Sequence, residues 1–281
     1  MRTDPLGEVS RTALYTLKAR VMEARRGKPL LKDPQGIRLY EGLMALLPRE
    51  TVRQVEACKL PATLVNHLCL RARQYDRYTR EFKEQNQRYL VVSLGSGFDT
   101  RYWRVSGNIW NYLELDLPAV VELKERVLGD AITYPLIAAS VLDMGWLEKI
   151  RSLQTRHVLF LAEGLFMYLP EERVRKIFEI LSDVFTRSQM VFEVVHARYA
   201  RGIWKRMVES KMKRRLGSAA GSSYQFGIRN PGEVEALGKN IRVLDEWSYF
   251  QDPDISPKIL KLFRGSRFVS RTQWTVRVAI G

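Results

Sequence analysis

Glycines and an acid at a particular spacing in this chain could bind a nucleoside. Gly95, Ser96 and Gly97 follow a short apolar run, and Asp116 ends a second one, 21 residues after Gly95. Glycines directly after a strand let the backbone turn tightly and approach a ligand closely. A carboxylate about 20 residues further on can accept hydrogen bonds from the two hydroxyls of a ribose. The spacing therefore indicates a nucleoside cofactor.

The residue that follows the glycines separates two kinds of cofactor. Thr100 stands where a dinucleotide-binding fingerprint has its third glycine or alanine. A pyrophosphate packs against the helix start at that position, which requires the small third residue. Because this chain lacks that residue, a cofactor with a ribose and no phosphate is favoured. S-adenosylmethionine is the leading candidate. The alternative is that the glycines form only a tight turn. Asp116 could also cap the helix predicted to begin near Pro118, and this role is compatible with binding a ribose.

Two later strand ends add further acids to this prediction. Leu142 and Asp143 follow the third predicted strand, where a carboxylate could accept a hydrogen bond from an adenine amino group. Glu163 follows the fourth strand within an apolar stretch. A buried carboxylate is costly unless it is paired, so Glu163 either contacts the cofactor or forms an ion pair with a nearby arginine. Leu117, beside Asp116, completes the predicted set of cofactor contacts.

If the cofactor is S-adenosylmethionine, the reaction is methyl transfer, and two residues are candidates for its acceptor side. Methyl transfer from a sulfonium is an in-line displacement whose main requirement is alignment of the reactants. A carboxylate acceptor needs no base, whereas a hydroxyl acceptor benefits from one. His196 follows the fifth predicted strand directly and is the candidate base, although an isolated histidine there is also compatible with a structural role. Tyr168 could line the acceptor pocket or simply pack, and no catalytic base is assigned.

The elements that position these residues follow from apolar runs that alternate with helical segments. This alternation predicts an α/β fold with a doubly wound, mostly parallel sheet, which gathers the strand ends at one edge. The final segment, Gln273–Ile280, has a strict period of two, typical of an antiparallel, half-exposed edge strand. The other predicted strands are Tyr89–Leu94, Asn111–Asp116, Ile132–Ala139, Val158–Ala162, Met190–Val195 and Ile241–Tyr249.

Two regions follow from this pattern. Residues 1–85 are predicted to form a helical cap that contributes to the site, and residues 86–281 a cofactor-binding domain with a basic helical insertion at about 196–240. That insertion carries the densest run of positive charge, in which the basic residues are Arg198, Arg201, Lys205, Arg206, Lys211, Lys213, Arg214 and Arg215.

Composition restricts the class of protein and the kinds of partner that are possible. The 281 residues carry a formal net charge of +15 and are 46% hydrophobic, as in ordinary globular proteins. Cys58 and Cys69 form neither a disulfide framework nor a zinc motif, so we expect no metal and a cytoplasmic location. The longest apolar run, Val158–Leu169, is shorter than the roughly 20 residues that span a bilayer. The charge itself indicates a polyanion, an anionic surface or an acidic small molecule.

The sequence resembles the leucine carboxyl methyltransferase superfamily, in particular its bacterial methyltransferases associated with polyketide biosynthesis. The resemblance implies a class I methyltransferase fold that uses S-adenosylmethionine. It covers about residues 10–200, and the stretch around Glu163 is the most specific part. The matching stretches, in family order, are Thr12–Arg20, Asp33-Pro34, Arg71–Arg73 with Asp76, Ser93–Arg101, Glu114–Pro118 and Ala162–Pro170.

The same resemblance implies roles for individual residues. Arg71 would pair with the carboxylate of the methionine moiety, Gly95 would lie beneath that moiety, and Glu163 would bind near its amino group. Asp116 would hold the ribose and Asp143 would face the adenine. The chain departs from the family pattern directly before Asp143, where Ser-Val-Leu replaces an acidic residue followed by Leu-Arg.

Three functions are compatible with these observations. The family branch favours O-methylation of a carboxylate or hydroxyl on a small, anionic molecule. The net charge alone favours a methyltransferase acting on a protein carboxyl terminus or on nucleic acid. However, aromatic residues are not concentrated in the basic stretch, and the Asn-Pro-Pro-Tyr motif of base methyltransferases does not occur. The third function, a non-catalytic nucleoside-binding module, is disfavoured because the proposed cofactor contacts are present.

Overall fold

A computed structural model describes residues 6, 8–105, 111–153, 157–207, 210 and 223–281 of the chain. Within these residues, seven strands form one sheet in the order β3-β2-β1-β4-β5-β7-β6. The strands are β1 (Tyr89–Leu94), β2 (Tyr112–Asp116), β3 (Leu136–Ala138), β4 (His157–Ala162), β5 (Ser188–Val195), β6 (Ile241–Trp247) and β7 (Gln273–Ile280).

Strands β1 to β5 form the parallel part of the sheet. The central strand β1 pairs with β2 and β4, and β3 and β5 extend the sheet on either side. All six residues of β1 are buried, which explains its continuous apolar sequence. The predicted doubly wound, mostly parallel sheet is confirmed. The carboxyl ends of its parallel strands lie at one edge, where the predicted site residues are expected to meet.

The last strand lies in a different place from the one its sequence pattern predicted. β7 is antiparallel to both β5 and β6, so the antiparallel C-terminal strand is confirmed, but the edge position is wrong. The period of two arises because one face of β7 is polar. That face is covered by protein and not by water: Arg277 donates a hydrogen bond to Glu81 at 2.9 Å and another to Gln189 at 2.9 Å.

Helices lie before the sheet and between its strands. The four helices α1 to α4 occupy much of the region before β1, as predicted for the first 85 residues. The helices are α1 (Glu8–Ala24), α2 (Pro34–Leu46), α3 (Arg49–Ala57), α4 (Ala62–Gln85), α5 (Arg101–Val105), α6 (Pro118–Leu128), α7 (Trp146–Ser152), α8 (Glu171–Val184), α9 (Gly232–Glu235) and α10 (Arg267–Ser270).

Helix α4 connects the N-terminal helices to the sheet. Tyr75 and Phe82 on one side of α4 pack in a cluster with Val91 of β1 and Leu159 of β4. Val65, nearer its start, packs in a second cluster with residues of α1, α2 and α6. Burial of each such side chain contributes roughly 1.5–3 kcal/mol, so α4 is firmly fixed across the sheet. Arg71 is therefore held at a defined position between the two clusters.

The predicted basic insertion at 196–240 lies only partly within the described residues. Ala197–Ala200 form a short 3-10 helix and residues 202–207 are helical, with Arg201 and Arg206 exposed. The predicted basic residues Lys211, Lys213, Arg214 and Arg215 lie outside the described residues. Among the residues that are described, no helix is long and apolar enough to cross a membrane.

Candidate functional site

A cavity of about 640 Å³ lies along the carboxyl ends of the parallel strands. Its volume is in the range of small-molecule sites. Helices α1 and α4 cover it and contribute Thr12, Arg20 and Arg71 to its wall. From β3 across to β7, the wall includes Ser140 and Val141 after β3, Asp116 at the end of β2, Gly95 after β1, Glu163 after β4, Glu193 in β5 and Gln273 at the start of β7.

The turn after β1 brings backbone directly to the cavity. Gly95 and Gly97 have φ values of 59° and 55°, in the left-handed region that favours glycine. A Cβ atom on Gly95 would lie 2.8 Å from Leu165, and one on Gly97 would lie 3.0 Å from Ala13. Both positions therefore require glycine, and the close approach of backbone to the cavity depends on them. Ser96 lies between them on the same wall.

The carboxylate of Asp116 is held by backbone groups. One oxygen accepts the Gly97 N–H at 2.5 Å, and the other accepts the Leu117 N–H at 2.7 Å. Burial raises the pKa of Asp116, and these two N–H groups oppose the rise only in part. Each carboxylate oxygen has a further lone pair for another donor. The N-cap of α6 is Leu117 and not Asp116, so the capping alternative for Asp116 does not describe this helix start.

Arg71 and Glu163 meet on the cavity wall although 92 residues separate them in the chain. The Arg71 Nε–H donates to Glu163 at 2.9 Å, and an Arg71 Nη1–H donates to Glu193 at 2.6 Å. Arg101 donates to the second oxygen of Glu163 at 2.5 Å. The ion-pair alternative for Glu163 is thus present in the structure. It is compatible with a role in binding because the pair itself lines the cavity.

These pairs belong to a larger set, here called the buried ion network. Salt bridges connect its nine members, none of which has a side chain more than 15% exposed. Buried charges are tolerated only when such partners compensate their lost hydration. The members are Arg20, Asp33, Arg71, Asp76, Asp99, Arg101, Arg104, Glu163 and Glu193.

The pKa values of two glutamates of the network are shifted in opposite directions. Burial disfavours the ionised form of both. At Glu163, Arg71 and Arg101 together outweigh burial, and the pKa of this carboxyl is lowered. At Glu193, burial outweighs Arg71, the negative charge of Glu163 opposes ionisation further, and the pKa is raised. Glu193 is therefore the less well compensated anion of the two.

The β5–β7 end of the cavity is aromatic. Tyr168 and Tyr224 both line it, with ring centroids 5.7 Å apart. Burial raises the pKa of Tyr168 to about 12, so this phenol is neutral at ordinary pH. His67 lines the same end and stacks on Tyr249 at 4.2 Å between ring centroids. Burial, assisted by the charge of Arg71, lowers the pKa of His67 to about 3, so this imidazole is neutral as well.

The structure does not bring two predicted residues near β3 to the described part of the cavity wall. Leu142 is 37% exposed, and an oxygen of Asp143 accepts the N–H of Gly145 at 3.3 Å. Ser140 and Val141 line the cavity at this point instead. Leu117, by contrast, lies on the wall as predicted.

His196 is also absent from the described wall. Its Nδ1 atom accepts the N–H of Arg198 at 3.2 Å, which caps the 3-10 helix that follows β5. This local hydrogen bond turns the ring toward its own backbone. Burial, with the charge of Arg198, lowers the pKa of His196. Tyr168, the other predicted acceptor-side residue, does line the cavity.

Sequence reasoning missed several residues of this wall. Four residues that were not predicted line the cavity: Glu193, Arg101, His67 and Gln273. A signal existed for Glu193, because it is an acid within the apolar run of β5, the same kind of signal that drew attention to Glu163. The sequence of α4 and α5 offers no comparable signal, because each helix carries several charged residues of which only some face the cavity.

A comparison with known proteins identifies the family. The model of the leucine carboxyl methyltransferase family matches residues 13–182. The chain belongs to this family. It is an S-adenosylmethionine-dependent methyltransferase, which confirms the predicted cofactor and class of enzyme.

Individual relatives agree with this assignment. The chain is 27% identical over 252 residues, 87% of its length and 84% of the relative, to the tetracenomycin polyketide synthesis O-methyltransferase TcmP of Streptomyces glaucescens. It is 30% identical over 196 residues, 63% of its length and 62% of the relative, to a protein of Mycobacteroides abscessus assigned to the S-adenosylmethionine-dependent methyltransferases.

A solved structure supports the fold. The crystal structure of an S-adenosylmethionine-dependent methyltransferase from Anabaena variabilis superposes with a TM-score of 0.50 at 12% sequence identity, covering 100% of this chain and 98% of that one. The predicted class I methyltransferase fold is confirmed.

Proposed function

We propose that this methyltransferase acts on a carboxylate or hydroxyl oxygen of a small molecule. The observation that carries the proposal is one cavity wall with separate groups for a nucleoside and for an amino acid. Asp116 and the glycine turn lie at one end, and the Arg71–Glu163 pair lies two strands away, after β4. The O-methyltransferase TcmP, a relative over most of the chain, supports oxygen as the acceptor atom.

The residues present fit S-adenosylmethionine, which supplies an electrophilic methyl group when bound. Both oxygens of Asp116 can accept further hydrogen bonds, as the two ribose hydroxyls require. Gly95 and Gly97 bring backbone to the cavity wall in the left-handed conformation, where a Cβ atom would press against Leu165 or Ala13. Arg71 uses two of its N–H groups in its two side-chain hydrogen bonds, and a guanidinium has five. It can therefore also donate to the carboxylate of the methionine moiety.

The acceptor is then expected at the β5–β7 end, beside Tyr168. Holding the acceptor oxygen in line with the methyl group contributes roughly 7–11 kcal/mol to catalysis without any acid or base. A carboxylate acceptor is already ionised at neutral pH, and the neutral tyrosine hydroxyls can donate hydrogen bonds to it. The position of His196 gives no support to a role as the base. An anionic acceptor agrees with the net charge of +15 but does not follow from it.

We further propose the division into a helical cap at 1–85 and a methyltransferase domain at 86–281. Helices α1 and α4 of the cap supply Arg20 and Arg71 to the cavity, while the strand ends supply Asp116 and Glu163. The buried ion network spans both parts, so the cap completes the cofactor site.

Methyl transfer by the full chain tests this function. Purified protein is incubated with S-adenosylmethionine carrying a labelled methyl group and with a panel of aromatic and aliphatic carboxylic acids, phenols and alcohols. Mass spectrometry should detect a labelled methyl ester or ether. Peptides with a free carboxyl terminus and single-stranded nucleic acid are included as competing acceptors. Label found only on one of these, or calorimetry showing no binding of the cofactor, would contradict the proposal.

A further inference from the structure

The buried ion network contains one more acid than arginine. Among the described residues, its arginine partners are those at positions 20, 71, 101 and 104, whereas its acids are Asp33, Asp76, Asp99, Glu163 and Glu193. The neighbouring Lys124 does not change this balance, because it forms a salt bridge with Glu114. When every member is ionised, the network therefore carries one negative charge without a partner.

The geometry locates this excess charge at Glu193. One of its oxygens accepts a hydrogen bond from Arg71, and the other accepts one from the neutral side-chain amide of Gln273 at 2.7 Å. Glu163, in contrast, has two arginine partners. Among the described residues, the other titratable groups that interact with Glu193 are His67, whose Nε2 lies 4.0 Å away, and the phenols of Tyr75, Tyr168 and Tyr224. Because the pKa of His67 is lowered to about 3, it supplies no positive charge.

The excess charge faces the cavity in a protein whose overall charge is +15. A buried network with one excess negative charge favours a cationic ligand, because the low polarizability of the surroundings strengthens the attraction. S-adenosylmethionine carries a positive sulfonium in addition to its amino-acid zwitterion, whereas the product S-adenosylhomocysteine is neutral overall. The two molecules therefore differ by one positive charge, which is the charge that would balance the network.

We propose that Glu193 is a specificity-determining residue for the charge of the cofactor, whose carboxylate raises the affinity for S-adenosylmethionine relative to S-adenosylhomocysteine. This inference rests on the proposed function. With a carboxylate acceptor, a new O–CH3 bond forms as the S–CH3 bond breaks, and the electron pair of that bond stays on sulfur. The positive charge at sulfur and the negative charge of the acceptor disappear together, so the network regains its excess charge and the product is bound less tightly.

A purely structural role of Glu193 makes a different prediction. If the Glu193 carboxylate only positions Arg71, removing it weakens the binding of both ligands to the same degree, because both contain the same amino-acid carboxylate and amino groups. If its charge recognises the sulfonium, its loss weakens the charged ligand alone. The ratio of the two dissociation constants therefore separates the two roles without any measurement of activity.

Calorimetry on the full chain at about pH 7 measures this ratio. The ligands are S-adenosylmethionine, S-adenosylhomocysteine and sinefungin, an unreactive analogue with an ammonium group near the sulfonium position. In Glu193→Gln, the preference for S-adenosylmethionine over S-adenosylhomocysteine should fall about tenfold, and sinefungin should follow S-adenosylmethionine; a tenfold change corresponds to about 1.4 kcal/mol. Glu179→Gln, which removes a charge from the exposed face of α8, should leave the ratio unchanged.

A charge-conserving variant and a pH series keep the proposal testable if Glu193→Gln does not fold. Glu193→Asp should retain most of the wild-type ratio, since it retains the charge. In the wild type, lowering the pH should reduce the preference for the cation, because burial raises the pKa of Glu193 and protonation removes the excess charge. The titratable and charged groups that face Glu193 are Arg71, His67, Glu163, Tyr75, Tyr168 and Tyr224, and the amide of Gln273 donates a hydrogen bond to it.

Two outcomes overturn the inference. Equal weakening of all three ligands in Glu193→Gln would assign Glu193 a structural role, and so would a ratio in the wild type that does not depend on pH. Failure of the wild type to bind any of the three ligands would instead contradict the proposed function. The two failures are therefore distinguishable in one set of titrations.

Discussion

The two ends of the cavity hold their carboxylates by different means. At the β2 end, Asp116 is fixed by backbone N–H groups of residues near it in the chain or in the sheet. At the β4–β5 end, Glu163 and Glu193 are fixed by arginine side chains from α4 and α5. Backbone donors persist whatever the neighbouring side chains are. A network of side chains instead requires every partner, so we expect substitutions at the β4–β5 end to affect folding as well as binding.

The largest effect is expected at the β4–β5 end. Arg71→Ala leaves Glu163 with one arginine partner and Glu193 with none among the described residues. Removing one partner of a buried ion pair typically costs about 3–5 kcal/mol, since an uncompensated charge is left behind. Urea unfolding should show a loss of this order, and calorimetry should show no measurable binding of S-adenosylmethionine.

A matched control lies on the same helix. Arg77 is 56% exposed and pairs with Glu81 at 3.4 Å. Because exposed ion pairs contribute little, Arg77→Ala should cost less than about 1 kcal/mol. If the two variants lost stability equally, the contrast between network and surface charges would not hold.

A smaller effect, confined to binding, is expected at the β2 end. Asp116→Ala removes the proposed partner of the ribose hydroxyls, and hydrogen bonds to a charged group contribute about 1.5–3 kcal/mol, roughly a 10- to 100-fold loss of affinity. Its free energy of unfolding should change less than that of Arg71→Ala, since no salt bridge among the described residues involves this carboxylate. Calorimetry and urea unfolding of the same sample test both statements.

Asp130→Ala, in the exposed turn after α6, serves as the control for Asp116→Ala. It should change neither quantity. Unchanged cofactor affinity in Asp116→Ala would reject its assignment to the ribose, and a stability loss as large as that of Arg71→Ala would remove the difference between the two ends.

The smallest effect is the dependence of binding on pH at the β2 end. The ionised Asp116 accepts hydrogen bonds from hydroxyl groups, and burial raises its pKa above the ordinary 3.8. As the pH falls through this raised pKa, the carboxyl takes up a proton and affinity for S-adenosylhomocysteine should fall, starting above the pH at which an ordinary aspartate titrates. Asp116→Asn should lack this component, and an identical pH profile in both proteins would contradict it.

Local patterns predicted the elements best where one feature dominated the sequence. The bounds of β1 and β7 agree with the prediction, because β1 is a continuous apolar run and β7 has a strict period of two. The third strand spans Leu136–Ala138 and is shorter than the predicted Ile132–Ala139, because residues 132–135 connect it to the 3-10 helix Gly129–Ala131. The position of β7 inside the sheet could not be predicted, since pairing partners are not encoded in one strand.

The sequence by itself determined the family, the fold class and the residues of the glycine turn with Asp116. These depend on short-range spacing, because a strand, its turn and the next strand end lie within about 20 residues. Only the tertiary structure decided which charges face the cavity. Arg71 and Glu193 are 122 residues apart in the chain, and their contact exists only because α4 packs across the sheet. Side-chain partners at such separations depend on the packing of whole elements, and no local pattern contains that information.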